Sequence, residues 1–477
     1  VNPNTQALRD RRRRPWSAHH APPPWLYPKP GGDVTVDTVD RQARAIADEA
    51  LLDELQRAAF DYFVTHTHPT NGLVADASRD GAPSSIAAVG FALSSYPVGV
   101  ERGWIDRAEA VNRTLLALRF FMGSDQSGGP ESTGHRGFYF HFLDMQTGAR
   151  TWQCELSMID TSLLIAGCLT AATFFTRDTP DEVELRRLAD AMYRRVDWRW
   201  AQADGDAVAL GWKPGHGFLS YGWQGYNEAL ILYVLGLGSP THPLGAASFR
   251  AWTMTYQWEN IYGYDVLYAG PLFIHQLSHA WIDFRGIRDR FMREKKIDYF
   301  ENSRRATYVH REYATRNPLG FEGYAHDCWG HSAGDGPTVA AIEIDGRKQS
   351  FFGYAARGAP NGPDDGTLAG TAALGSLVFA PEIVLPVVRK LAARGGASPG
   401  RTVLASGFNA TVPGSRAGGW LSADQVGFDQ GLVTLMIENH RSGLVWRIGR
   451  GCGYIREGLR RAEFSGGWLR GGAAAQP

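Results

Sequence analysis

The sequence predicts an all-α fold, an (α/α)6 toroid with long glycine- and aromatic-rich loops and a few short β segments. Three observations predict it. Apolar residues recur at helical spacing in about twelve stretches. Two of these, within residues 152–173 and 222–235, are apolar nearly all round, the pattern of a helix buried on both sides. Nothing resembling a linker interrupts the chain between residues 36 and 461, which favours one large helical domain with functional loops. No fixed repeat period is visible, so a simple solenoid is excluded. The expected organisation is a flexible Arg/Pro-rich tail at 1–35, a single domain at 36–465 and a C-terminal tail at 466–477.

Taken in order, the chain begins with arginines at 11–14 and then HHAPPPWLYPKPGG, whose prolines forbid helix. This reads as a solvated segment. Residues 36–66 form the first long helix, with Ala45, Ile46, Leu51, Leu55, Ala59, Tyr62 and Phe63 at helical spacing. Ser84 or Ser85 then caps the apolar run 86–93, and Asp106 caps a third helix through Phe121. Further helices are expected at 155–175, 181–202, 226–237, 245–258, 270–292, 298–316, 367–379, 381–394 and 427–437. Short β segments are expected at 137–143, 338–344 and 444–448.

Composition narrows the function. Lys+Arg and Asp+Glu balance at 49 each, which argues against a dominant role on nucleic acid or an anionic membrane. No apolar run reaches the ~18–20 residues of a membrane span, so stable membrane insertion is not expected. The four cysteines, Cys154, Cys168, Cys328 and Cys452, are too scattered for a disulfide framework or a CxxC metal site. No signal-peptide core is visible at the start. Aromatic residues make up 12% of the chain, with 15 Trp and 18 Tyr. Their flat apolar faces with polar tips suit a sugar-binding cleft as well as a core.

Carboxylates at the mouths of buried helices need a reason, because an unpaired one is costly there. Glu155 and Asp160 open one such helix, and Glu228 opens another behind Trp223, Gln224, Tyr226 and Asn227. Asp424 and Asp429 sit in SADQVGFDQG, and Glu438 ends an apolar run. Glu155 and Asp160, five residues apart, would lie about 140° apart on one helix and so not share a face. Paired carboxyls are what glycoside hydrolysis requires: one protonates the leaving oxygen, the other activates water or attacks. His275, His279 and Asp283 fall at i, i+4, i+8 and are expected to share a polar stripe lining a cavity. The Glu of HExxH is absent, so a metal is not expected. Ser332 lies in GHSAG, formally GxSxG, but the flanking loop residues lack the strand and helix that a nucleophile elbow needs.

The chain resembles the bacterial glucoamylase-like domain family, which includes inverting endo-β-1,2-glucanases and is related to the transglycosylating domain of cyclic β-1,2-glucan synthases. The matching stretches include GFYFHFLD, CELSMIDTSLLIAG, WQGYNEALILYVLGLGSPTHP, GPLFIHQLSHAWIDFRG, DCWGHSAGDGP, DDGTLAGTAALGSLVFAPE and DQGLVTLMIENHRSGLVW. The resemblance implies an (α/α)6 barrel. It implies Glu228 as general acid, with Asp160 and Asp429 in the cleft serving the proton relay or water activation. It further implies that Glu155, Tyr226, Asn227, His275, His279, Trp329 and Asp365 line the sugar subsites, and that the loop 395–419 forms a lid.

The resulting expectation is an enzyme that hydrolyses a β-linked glucan, endo-acting on β-1,2-glucan with inversion, needing no cofactor. Its partner would be an oligo- or polysaccharide, with the protein a monomer or small homo-oligomer. Family members are mostly exported, so a periplasmic or secreted location is implied, with the cytoplasm as the alternative because no signal peptide is visible. The rivals are a transglycosylase on β-1,2-glucan and a non-catalytic carbohydrate-binding protein on the same scaffold.

Overall fold

The computed structural model describes residues 36–344, 346–394, 404–412 and 418–470. The expected N-terminal tail, residues 395–403 and 413–417 of the expected lid, and residues 471–477 lie outside the described residues. The chain divides into two compact units, Val1–Leu51 and Leu52–Pro477. What is described of the first unit is the opening part of helix α1, Val36–Thr65.

The second unit is an α/α toroid. Its helices are α2 (Ile86–Glu101), α3 (Arg107–Gly123), α4 (Met158–Phe174), α5 (Pro180–Arg195), α6 (Leu230–Gly238), α7 (Ala246–Thr253) and α8 (Leu272–Gln276). They continue with α9 (Arg290–Lys295), α10 (Tyr299–Arg316), α11 (Gly370–Gly375), α12 (Pro381–Arg394), α13 (Gly427–Arg441), α14 (Leu444–Gly451) and α15 (Gly453–Arg461). The main packed pairs are α2 with α4, α2 with α13, α6 with α15 and α3 with α5.

Helices α2 and α4 are apolar all round because each is enclosed by other helices. They approach most closely through Gly90 and Gly167. A Cβ on Gly90 would stand 2.3 Å from the Leu163 carbonyl oxygen, and one on Gly167 would stand 2.2 Å from that of Gly90. Any side chain at either position would push apart the two helices that carry the floor of the cavity described below. Both helices also start alike. A two-residue strand, β1 (Ser84–Ser85) before α2 and another (Leu156–Ser157) before α4, ends in a serine whose hydroxyl caps the first turn. Ser85 Oγ accepts from Ala88 N at 3.4 Å, and Ser157 Oγ from Asp160 N at 3.1 Å. Such caps satisfy amides that have no partner within the helix.

The β structure is local. Strands β2 (Gly134–His135), β3 (Phe138–Phe140), β5 (Leu156–Ser157), β6 (Gly211–Lys213) and β7 (Gly217–Phe218) form an antiparallel sheet in that order. Tyr139 lies opposite Ser157 and Leu156 opposite Trp212. Strand β4 (Phe142–Leu143) pairs with β1, which joins the start of α2 to this sheet. The expected strand near 338–344 is present as Ala340–Ile344, in a hairpin with Arg347–Phe351.

Several expectations are corrected. Residues 444–448 are helical, not extended, because Leu444, Val445, Trp446 and Ile448 bury one side of a short helix. The helix expected at 270–292 stops at Gln276, passes through a 3-10 turn at Leu277–Ala280, and resumes as α9. The expected helix 226–237 begins only at Leu230, so Glu228 sits in the preceding turn. The C-terminal tail expected from 466 is ordered to Arg470: Ser465–Gly466 pairs with Ile287–Arg288, and the Trp468 indole donates to Asp283 O at 2.8 Å.

Glu438 is a structural acid. Arg102 grips it with Nε to Oε2 at 2.8 Å and Nη2 to Oε1 at 3.1 Å, while Gln56 and Ser442 also donate to it. Leaving one partner of such a buried pair alone costs about 3–5 kcal/mol. The pair therefore ties α13 to the end of α2. Among the described residues no helix is long and apolar enough to cross a membrane.

Candidate active site

A cavity of about 680 Å³ opens where the starts of α2, α4 and α13 meet the turn before α6. Six carboxyl side chains line it: Asp76, Glu155, Asp160, Glu228, Asp335 and Asp429. Two cationic side chains, Arg79 and His141, share the wall. Apolar rings complete it, including Phe142, Trp152, Trp223 and Phe273. Four of the acids anticipated in the sequence, Glu155, Asp160, Glu228 and Asp429, therefore converge on one space.

Asp160 stands in the first turn of α4. Ser157 Oγ donates to its Oδ2 at 2.5 Å, and His141 Nε2 lies 3.6 Å from the same oxygen. His141 follows β3, and its Nδ1 bonds Glu155 Oε1 at 2.9 Å. One imidazole thus bridges two carboxylates. Burial alone would lower its proton affinity, but Asp160 and Glu155 together raise its pKa to about 9. In return, the hydrogen bond from His141 holds Glu155 below the ordinary carboxylate range. Glu155 and Asp160 can both reach His141 because Glu155 precedes α4, where the backbone is extended. The expectation that one helix would splay them apart is corrected on that ground.

Glu228 behaves oppositely. Desolvation in its turn raises its pKa to about 7, and the nearby charge of Asp160 adds to the rise. Asp429, in the first turn of α13, is also raised to about 7, again chiefly by desolvation. Thr371 Oγ1 donates to its Oδ2 at 3.1 Å and works against the rise, while the charges of Asp335 and Asp76 reinforce it. Asp76 is itself raised by burial, with His141 and Arg79 opposing. The site therefore holds two carboxyls poised to exchange protons near neutral pH, beside a cluster locked in ion pairs. Asp424, a further acid noted in the sequence, is bound to Arg79 at 3.1 Å.

The other anticipated residues are placed outside the cavity wall. Asn227 braces the turn before α6: its Oδ1 accepts from Ala229 N at 3.0 Å and from the Trp252 indole at 3.1 Å. Tyr226 packs among Tyr256, His275 and Tyr299. His275 and His279 are buried, and desolvation lowers them to about 4 and about 3. His275 Nε2 bonds Ala269 O at 3.1 Å, and His279 Nε2 meets Ser303 Oγ at 3.1 Å between Phe284 and Phe379. The expected stripe with Asp283 fails because the helix ends before it. Asp283 is instead held by Arg285 at 2.8 Å and by Arg450. Trp329 is fully buried. Asp365 is fully buried in an ion pair with Arg357, Nε to Oδ1 at 2.6 Å and Nη2 to Oδ2 at 2.8 Å. Ser332 reaches the cavity wall, with its hydroxyl accepting from Phe273 N at 3.2 Å and no histidine bonded to it among the described contacts.

Sequence reasoning missed His141, Asp76, Arg79 and Asp335. His141 had a signal: a lone histidine within the apolar alternation FYFHFL. Asp76, Arg79 and Asp335 lie on loops, where no periodicity marks them.

Residues 220–452 match the family model described as "Putative glucoamylase". A curated relative is 27% identical over an alignment 465 positions long that covers 89% of this chain. It is an exo β-1,2-glucooligosaccharide sophorohydrolase acting at the non-reducing end, from Parabacteroides distasonis, and the chain spans 59% of its length. Among solved structures, a "putative glucoamylase" from Bacteroides uniformis is 29% identical with a TM-score of 0.78, over 88% of this chain and 98% of that one. An endo-β-1,2-glucanase from Chitinophaga pinensis, solved with sophorotriose and glucose, is 25% identical with a TM-score of 0.77, over 88% of this chain and 99% of that one.

Proposed function

We propose that the protein is a glycoside hydrolase acting on β-1,2-glucan, cutting within the chain and inverting the anomeric centre. The observation that carries the chemistry is the pair Glu228 and Asp429, both raised to about 7 in one cavity. The likeness to β-1,2-glucan hydrolases supports the linkage.

Glu228 acts as general acid and gives its proton to the glycosidic oxygen as the bond to the anomeric carbon breaks. Asp429 acts as general base and takes a proton from the water that attacks the opposite face. One step leaves Glu228 ionised and Asp429 protonated, and exchange with solvent resets both. A carboxyl raised to about 7 is a better base than an ordinary one and remains a usable acid at neutral pH. Asp160 takes a different part. Its Oδ2 is engaged by Ser157 and His141, and its charge adds to the desolvation that raises Glu228.

The pH profile tests this assignment. Glu228 must hold its proton, so activity falls as pH rises through about 7. Asp429 must have lost its proton, so activity falls as pH drops through about 7. The expected kcat/KM profile on β-1,2-glucan is a bell centred near 7, reporting the free enzyme. Asp160→Asn removes a charge that raises Glu228 and is expected to move the alkaline limb to lower pH. An alkaline limb that stays in place in a folded Asp160→Asn variant contradicts the role given to Asp160. The mode of cutting is read from early products: a spread of chain lengths supports internal cleavage, and disaccharide alone would favour the exo mode of the Parabacteroides relative.

A further inference from the structure

The turn between β4 and β5 contains two consecutive non-glycine residues in the left-handed region, Trp152 at φ 55° and Gln153 at φ 49°. Bulky side chains rarely adopt that conformation, and it persists only where the surroundings over-determine it. Here they do. Arg150 Nε donates to Cys154 O at 2.6 Å and its Nη2 to Gln153 O at 2.6 Å, with the guanidinium 4.8 Å above the Phe140 ring. Thr151 N donates to Phe142 O at 2.9 Å, and Cys154 N to Thr151 O at 3.1 Å.

This clamped turn does not bury its tryptophan. Trp152 is 61% exposed yet belongs to the cavity wall, with its ring centroid 5.0 Å from that of Phe142. Phe142 in turn stacks on His141 at 4.0 Å. A rigid row therefore runs from the ion-paired imidazole to an indole standing at the rim. Trp152 contributes nothing to the core that would explain the strain. Glu155, three residues on and in the same wall, places a carboxylate acceptor nearby.

We propose that Trp152 is a stacking platform for a pyranose ring at the rim of the cavity, a substrate subsite on the Glu155–His141 side. This rests on the reading of the cavity as a glucan hydrolase site. A pyranose presents C–H groups on one face and hydroxyls at its edge. The indole matches the face, and Glu155 accepts from the edge. A platform away from the bond being cut binds ground state and transition state alike, so it sets KM rather than kcat.

The test is steady-state kinetics on linear β-1,2-glucan with Trp152→Gly and Trp152→Phe, beside unfolding midpoints for both. Trp152→Gly is expected to raise KM about tenfold or more with kcat kept within about twofold. Its unfolding midpoint should equal or exceed that of the unaltered protein, because glycine accepts the left-handed backbone. Trp152→Phe, which keeps a flat ring, is expected to restore most of the affinity. Should Trp152→Gly fail to fold, Trp152→Asn, which also tolerates this backbone, takes its place. An unchanged KM in a folded variant overturns the platform alone, as does a fall in kcat that tracks a fall in stability. No turnover by the unaltered protein in the same assay overturns the hydrolase reading and the platform with it.

Discussion

Glu228→Gln is expected to keep the fold and lose about 10²–10⁴ in kcat on β-1,2-glucan, the usual worth of a positioned general acid. The site desolvates this side chain enough to raise its pKa to about 7, so below neutral pH it holds a proton that the amide cannot supply. The substitution removes no buried ion pair, and glutamine relieves the cost of ionising a desolvated group, so the unfolding midpoint should not fall. A substrate whose leaving group departs without protonation, such as a nitrophenyl glycoside, separates the role from mere damage. The deficit should shrink on that substrate if Glu228 is the acid. A folded variant with an unchanged rate on the glucan removes Glu228 from the mechanism.

Asp429→Asn should cost a comparable factor, again about 10²–10⁴, with a different signature. Water activation is needed whatever the leaving group, so the deficit should persist on the nitrophenyl substrate. The acidic limb of the pH profile should also disappear, because Asp429 is the group that must lose a proton near pH 7. Thr371, which donates to Asp429 at 3.1 Å, can bond an asparagine oxygen equally well, so the fold should survive. If the acidic limb remains with Asp429 replaced, the base is another of the six carboxyls.

Much of this arrangement was legible in the sequence, for identifiable reasons. Helices buried on both sides reveal themselves by continuous apolarity, as α4 and α6 do, and an acid at the start of such a helix stands out. That contrast located Glu155, Asp160 and Glu228, while Asp429 lies in SADQVGFDQG and owes its role to the resemblance. It could not locate His141 or Asp76, which sit on short strands and loops shaped by tertiary pairing rather than by any period. The same logic misled at 270–292. His275, His279 and Asp283 keep helical spacing in the sequence, but the helix ends at Gln276 and the stripe never forms. His275 and His279 are instead desolvated in the interior. Residues 444–448 show the limit of short apolar runs: five residues fit either period, and burial against the body of the protein made them helical. Trp329 and Asp365, assigned by resemblance, lie fully buried, which sequence similarity alone does not reveal.

The central claim is that this cavity hydrolyses β-1,2-glucan with inversion. The most direct test is to incubate the purified protein with linear β-1,2-glucan, with starch and laminarin in parallel, and to follow product size and anomer by NMR. The account predicts short linear oligosaccharides from β-1,2-glucan alone, released first as the α-anomer. Cleavage of starch or laminarin instead, cyclic or lengthened products, a β-anomer released first, or no turnover on any of the three would contradict it.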